Sequence, residues 1–126
     1  MTESPIRVLV VDDEPFVRDS LVEFLEDYDF DVSSAASAEE MLELIARRQQ
    51  DVAIVDLRLP GMNGDALIHQ AHEVLPSMRF LIHTGSVDYC LSEDLMDMGV
   101  KQEHVILKPQ PNLNSIVDRI RDLVKE

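Results

Sequence analysis

One cysteine, Cys90, stands in a chain of 126 residues, so no intrachain disulfide can form and a reducing cytoplasm is the natural compartment. There is no tryptophan, aromatic residues make up 5%, and four glycines and six prolines are too few for a low-complexity or collagen-like chain. Basic residues are scarce. With Lys and Arg at 11 against 25 Asp and Glu, the net charge of −14 repels nucleic-acid phosphates and anionic membrane surfaces, which argues against direct binding to either. No apolar run is longer than the one at residues 8–11, far short of a membrane span, and the opening Met-Thr-Glu-Ser-Pro lacks the basic start of a signal peptide. Hydrophobic residues at 45% still suffice for an ordinary core, and the length suits one domain over residues 1–126.

Short β-branched runs at residues 6–11, 52–55 and 79–84 read as strands buried on both faces, and weaker runs at 31–35 and 104–107 complete a set of five. Helical spacing fills the intervals. Val17, Leu21, Phe24, Leu25 and Tyr28 follow Pro15, a good first-turn residue. Ser37 and Glu40 form a capping box ahead of Met41, Leu42 and Ile45. A third helix carries Leu67, Ile68, Ala71, Val74 and Leu75 and stops at Pro76, and a fifth carries Leu113, Ile116, Val117, Ile120, Leu123 and Val124. The fourth rests on Leu91, Leu95 and Met98, with Ser92 as cap and Gly99 as stop. Strict β-α alternation of this kind makes a doubly wound α/β domain, a five-stranded parallel sheet with five helices on its two faces. Ligands of such sheets bind beyond the carboxyl ends of the strands.

Polar residues collect at those ends: Asp12 and Asp13 after the first strand, Asp56 after the third, Thr84 after the fourth and Lys108 after the fifth. Each alone could be a helix cap, a loop residue or a surface charge. Together they suggest chemistry. Clustered carboxylates can all ionise at neutral pH only beside a cation, and Mg²⁺ suits an all-oxygen set, with Asp13 and Asp56 as direct ligands and Asp12 acting mostly through water. A carboxylate beside Mg²⁺ and an ammonium is also a suitable nucleophile for an incoming phosphoryl group. Asp56 would be phosphorylated, and Lys108 and the Thr84 hydroxyl would bind the phosphate oxygens. Before that step, Lys108 is expected to pair with Asp56.

The segments VLVVDDEP (8–15), VDLRLPGMNG (55–64), HTG (83–85) and LKP (107–109), in this order and spacing, closely resemble the receiver domain of bacterial two-component response regulators. The resemblance spans essentially the whole chain. It implies a flavodoxin-like receiver fold with strand order 2-1-3-4-5. Asp56 would be the phosphoacceptor, Asp12 and Asp13 the acidic pair, the backbone carbonyl of Arg58 a further Mg²⁺ ligand, Thr84 the switch hydroxyl and Lys108 the phosphate-binding lysine, with a cis peptide bond to Pro109. It further implies a phosphohistidine donor, on a sensor histidine kinase or histidine phosphotransfer protein, and a downstream protein or output domain reading the face of the fourth helix, fifth strand and fifth helix. Phosphorylation-dependent homodimerisation is among the expected consequences. On this reading the chain is no enzyme beyond its own phosphorylation and dephosphorylation.

Departures from the family pattern fall on that output face. Val105 stands where many members carry Tyr or Phe, the interval from Thr84 to Lys108 is about two residues longer than usual, and KQEH (101–104) replaces a small-residue turn. Arg58 and Ser86 lie where family members influence how long the phosphate survives. His69 and His72 have helical spacing but no third ligand to make a metal site, and His83 reads as a structural strand residue. A hydrolytic alternative, in which Asp12 and Glu14 act as the Asp-x-Asp pair of haloacid-dehalogenase-like phosphatases, requires Glu14 in place of the second Asp and leaves Asp56 without a role. A Gly-rich loop for a flavin or dinucleotide is absent after the first strand.

Overall fold

The computed structural model describes residues 5–59, 61–108 and 112–125. Strands β1 (Arg7–Val11), β2 (Asp31–Ala35), β3 (Val52–Asp56), β6 (Arg79–Thr84) and β7 (Val105–Leu107) form one sheet in the order β2-β1-β3-β6-β7. Every pairing in it is parallel. This is the expected 2-1-3-4-5 order, with the numbering displaced by a two-stranded hairpin, β4 (Arg58–Leu59) and β5 (Met62–Asn63), that sequence periodicity did not reveal. Two-residue strands are too short to show a period, and their turn depends on Gly61, which adopts φ 81°.

Helices α1 (Pro15–Glu26) and α5 (Asn114–Lys125) cover one face of the sheet, while α2 (Ala38–Arg47), α3 (Gly64–Val74) and α4 (Glu93–Asp97) cover the other. The strand side chains divide accordingly. Val8 and Val10 join Leu21, Leu25, Ile116 and Ile120 in one cluster, whereas Leu9 and Val11 join Met41, Ile45, Leu67 and Ile68 in the second. Because both faces are covered, β1 and β3 can be almost wholly apolar, and their first polar residues mark where the chain leaves the core.

Local signals mostly act as expected. Pro15 opens α1, and Ser37 caps α2 by accepting the Glu40 amide at 3.2 Å. The reciprocal bond of the expected capping box goes elsewhere: Glu40 Oε1 accepts the amide of Ala36, one residue earlier. Ser92 caps α4 and Gly99, at φ 97°, follows its end, but α4 has only five residues. His104 is not in the last strand. It closes a 3₁₀ turn, Gln102–His104, and its Nδ1 accepts the Lys101 amide at 3.0 Å, which satisfies a donor that a strand would have left to a neighbour. Pro109 and the bond expected to be cis lie outside the described residues.

Gly64 is required by close approach rather than by φ. A Cβ there would lie 2.6 Å from Leu57 Cδ2 and 2.7 Å from Leu57 Cα, while the Gly64 amide donates to the Leu57 carbonyl at 3.1 Å. The start of α3 is thus pressed against the residue that follows Asp56. Gly64→Ala is expected to cost about 1–3 kcal/mol, the usual range for overpacking, as a lower urea midpoint with unchanged slope. An unchanged midpoint would show that Leu57 yields freely.

Candidate functional site

The parallel register sets the site. Val11 pairs with Val55, Asp56 with His83 and Thr84 with Leu107, so four strands end at one level and their next polar side chains meet at one edge. Lys108 is tied there by its amide, which donates to the Thr84 carbonyl at 2.7 Å. One local device recurs at three of the strand ends. Asp12 Oδ1 accepts the Glu14 amide at 3.0 Å, Asp56 Oδ1 accepts the Arg58 amide at 3.1 Å, and Thr84 Oγ1 accepts the Ser86 amide at 3.1 Å. In each, the side chain takes the amide two residues on, which fixes its orientation while the backbone turns away.

Carboxylate oxygens of Asp12, Asp13 and Asp56 lie within 4.8 Å of one another. Asp12 and Asp56 are 2% and 5% exposed, whereas Asp13 is open to solvent. Lys108 Nζ lies between the buried pair, 2.8 Å from Asp12 Oδ2 and 3.3 Å from Asp56 Oδ2. The expected pairing with Asp56 is present, and Lys108 also makes a shorter contact to Asp12 that the sequence did not suggest. Each carboxylate gives Oδ1 to the amide two residues on and turns Oδ2 to the ammonium.

Burial raises the Asp56 carboxyl above its ordinary pKa; the Arg58 amide and Lys108 oppose this, and the charge of Asp12 adds to it. Burial would lower the Lys108 ammonium, but its hydrogen bond to Asp12, the Asp12 charge and Asp56 outweigh it and raise its pKa. One ammonium faces three carboxylates. The unbalanced negative charge and the all-oxygen donor set fit a hard divalent cation such as Mg²⁺.

A pocket of about 310 Å³ opens over the site, lined by Asp13, Glu14, Asp56, Arg58, Gly85 and Lys108. Asp12 is not among its lining residues. Thr84 is 2% exposed and also does not line the pocket. Sequence reasoning missed Glu14 as a wall of this pocket, and it missed Arg18, whose Nη1 donates to the Asp12 carbonyl at 2.8 Å from the first turn of α1. No sequence pattern signals the Arg18 contact, because its acceptor is a backbone carbonyl six residues back, before the helix begins.

The remaining histidines have ordinary settings. His69 lies 3.5 Å from Glu73 one helical turn on, and no metal cluster other than the Asp12, Asp13 and Asp56 group is found among the described residues. His83 is buried, with no partner for Nε2, and its pKa falls to about 4 through burial and then the Lys108 charge. It is neutral at physiological pH. Cys90 is exposed and free. No helix among the described residues is long and apolar enough to cross a membrane.

Fold and edge together define a doubly wound α/β domain with an oxygen-rich, lysine-bridged site at its strand ends. The family model of the response regulator receiver domain matches residues 8–121, and the chain belongs to that family, the receivers of two-component signalling. It is 29% identical over 123 residues to YesN, an uncharacterized transcriptional regulatory protein of Bacillus subtilis, covering 95% of this chain and 33% of that protein. A CheY-like receiver domain protein from Methanospirillum hungatei matches in structure with a TM-score of 0.83 at 30% identity, covering 97% of this chain and 95% of that one. A response regulator from Burkholderia pseudomallei, solved with a phosphorylated aspartic acid, a calcium ion and citrate, matches with a TM-score of 0.80 at 25% identity, over 95% and 69% of the two chains. The chain spans between 25% and 51% of the length of the first curated regulators it matches.

The raised Asp56 pKa makes a prediction for the metal-free protein. A carboxyl whose pKa is higher folded than unfolded binds protons more tightly when folded, so its contribution to stability is full below the ordinary value of 3.8 and is lost as pH rises through the folded value. Asp56→Asn removes that loss. In chelator at pH 7 the variant should melt at a higher temperature than wild type, with the gain shrinking as pH falls toward 4. A gain that is the same at both pH values would exclude titration of Asp56 as its source.

Proposed function

We propose that this chain accepts a phosphoryl group on Asp56 from a phosphohistidine of a sensor kinase or histidine phosphotransfer protein, and that the modified form controls a downstream protein or output domain. The observation that carries this reading is Asp56 itself: a buried carboxylate reaching a solvent-open pocket, with Lys108 on one side and Asp13 on the other. The Burkholderia relative, solved with a phosphorylated aspartic acid and a calcium ion, supports it.

In the transfer, an Asp56 carboxylate oxygen attacks the donor phosphorus, the new O–P bond forms as the P–N bond breaks, and the imidazole leaves with the electron pair and takes a proton from solvent. Asp13, Asp56 and the Arg58 carbonyl would hold Mg²⁺, with Asp12 acting through water; the ion, when bound, neutralises charge on the transferred oxygens. Lys108 then exchanges part of its contact with the carboxylates for a phosphate oxygen. Thr84 donates its hydroxyl to another, and the shift of its loop carries the signal to α4, β7 and α5. Arg58 lines the pocket from the residue whose amide already holds Asp56, so its side chain restricts the water that would hydrolyse the acyl phosphate. The protein catalyses its own phosphorylation and dephosphorylation and turns over no other phosphate ester. Its place of action is the cytoplasm, and homodimerisation accompanies phosphorylation.

Incubation with a small acyl phosphate and Mg²⁺ should add one phosphoryl group to wild type, detected by intact mass, and none to Asp56→Asn or to wild type in chelator. Continuous release of phosphate from an ester substrate, with no labelled Asp56, would instead favour the hydrolytic reading. Arg58→Ala should label normally and lose its label faster; an unchanged rate removes the role given to Arg58.

A further inference from the structure

Thr84 Oγ1 is turned to its own loop, accepting the Ser86 amide, and Gly85 rather than Thr84 lines the pocket over Asp56. With Thr84 2% exposed and outside the pocket lining, a shift of the segment after it would open its hydroxyl to a phosphoryl group. Residues 85–92 connect β6 to α4, and α4 is a weak anchor, five residues long with Leu95 as its buried side chain. Leu91 packs partly buried against the core, and Tyr89 adds a side-chain hydrogen bond to α3. Its hydroxyl donates to Asp65 Oδ1 at 2.9 Å, and its ring packs partly buried against the core cluster that also receives Leu57, Met62 and Val105.

Asp65 lies in the first turn of α3, beside Gly64, whose backbone is pressed against Leu57. The Tyr89–Asp65 bond therefore fastens the segment after Thr84 to the start of α3, which is itself pressed against the residue after Asp56. We propose that Tyr89 and Asp65 are positioning residues that hold the segment after Thr84 in its resting arrangement, so that Thr84 engages the phosphoryl group only when this hydrogen bond breaks. The proposal rests on the reading of Asp56 as phosphoacceptor.

Several features favour a latch over an incidental contact. The acceptor is a carboxylate and the pair is partly buried, which makes the bond stronger than a neutral or exposed one. Burial and then Asp65 push the phenol pKa up, so Tyr89 stays a donor throughout the neutral range. Val105, on the strand beside Thr84, and the Tyr89 ring pack against the same core cluster, so the loop carries an aromatic contact to it. A bond made in the resting state alone lowers apparent affinity for whatever favours the other state, and its loss raises that affinity.

The test is Mg²⁺-dependent binding of beryllofluoride, a phosphoryl mimic that attaches to a carboxylate, measured by calorimetry on wild type, Tyr89→Phe, Asp65→Ala, Asp65→Asn and the Tyr89→Phe/Asp65→Ala double variant. Tyr89→Phe and Asp65→Ala should each lower the Kd by about fivefold or more, within the usual range of coupling between sites. The double variant should gain no more than either single one, because both remove the same bond. Asp65→Asn keeps an acceptor but loses its charge and should fall between wild type and Asp65→Ala. If wild type binds and Tyr89→Phe binds with an equal or higher Kd, the latch is overturned while the Asp56 reading stands. If Asp65→Asn matches Asp65→Ala, or the double variant shows additive gains, the shared bond is not the cause and the latch is likewise overturned. No binding by wild type removes the Asp56 reading and the latch with it.

Discussion

Everything at the functional edge depends on the register of four parallel strands. β1, β3, β6 and β7 pair so that their carboxyl ends fall at nearly one level, and Asp12, Asp56, Thr84 and Lys108 emerge next to one another although they are spread across most of the chain. A slip of one residue would turn side chains to the opposite face, and in β1, apolar on both faces from Val8 to Val11, it is the flanking Arg7 and Asp12 that a slip would misplace. Packing thus supplies the geometry, and the Asx-type and Thr turns at the strand ends aim the side chains.

The same edge gathers more negative charge than it can neutralise alone. Asp12 and Asp56 are held out of water with a shared ammonium, an arrangement that costs stability unless hydrogen bonds compensate, and the amides of Glu14 and Arg58 do so in part. Asp13 adds a third carboxylate on the solvent side. An edge of this kind is poised for a cation and for a group carrying transferable oxygens, and its raised Asp56 pKa expresses the same imbalance. Stability is traded for a site whose balance changes when either arrives.

Much of this was legible in residue order. Val8 to Val11 followed by Asp12 and Asp13, and Val52 to Val55 followed by Asp56, announce strands that end in acid, and Ser92 and Gly99 bracket α4 correctly. Misreadings arose where a local pattern had competing partners. His104 continued an apolar-looking strand but found a closer acceptor role in the Lys101 turn, and Glu40 reached Ala36 rather than Ser37. Arg58–Leu59 and Met62–Asn63 pair over too few residues to leave a periodic signal.

By itself the sequence determined which residues could do chemistry and at which strand ends they stand, because β-α alternation and the apolar runs constrain where the chain leaves the core. It did not determine how they share one another. That Lys108 bridges Asp12 and Asp56 with the shorter contact to Asp12, that Arg18 braces the Asp12 carbonyl, and that Tyr89 reaches Asp65 are outcomes of distance in three dimensions. A chain of residues records which charges and donors exist; only the packed fold decides which of several available acceptors each donor meets.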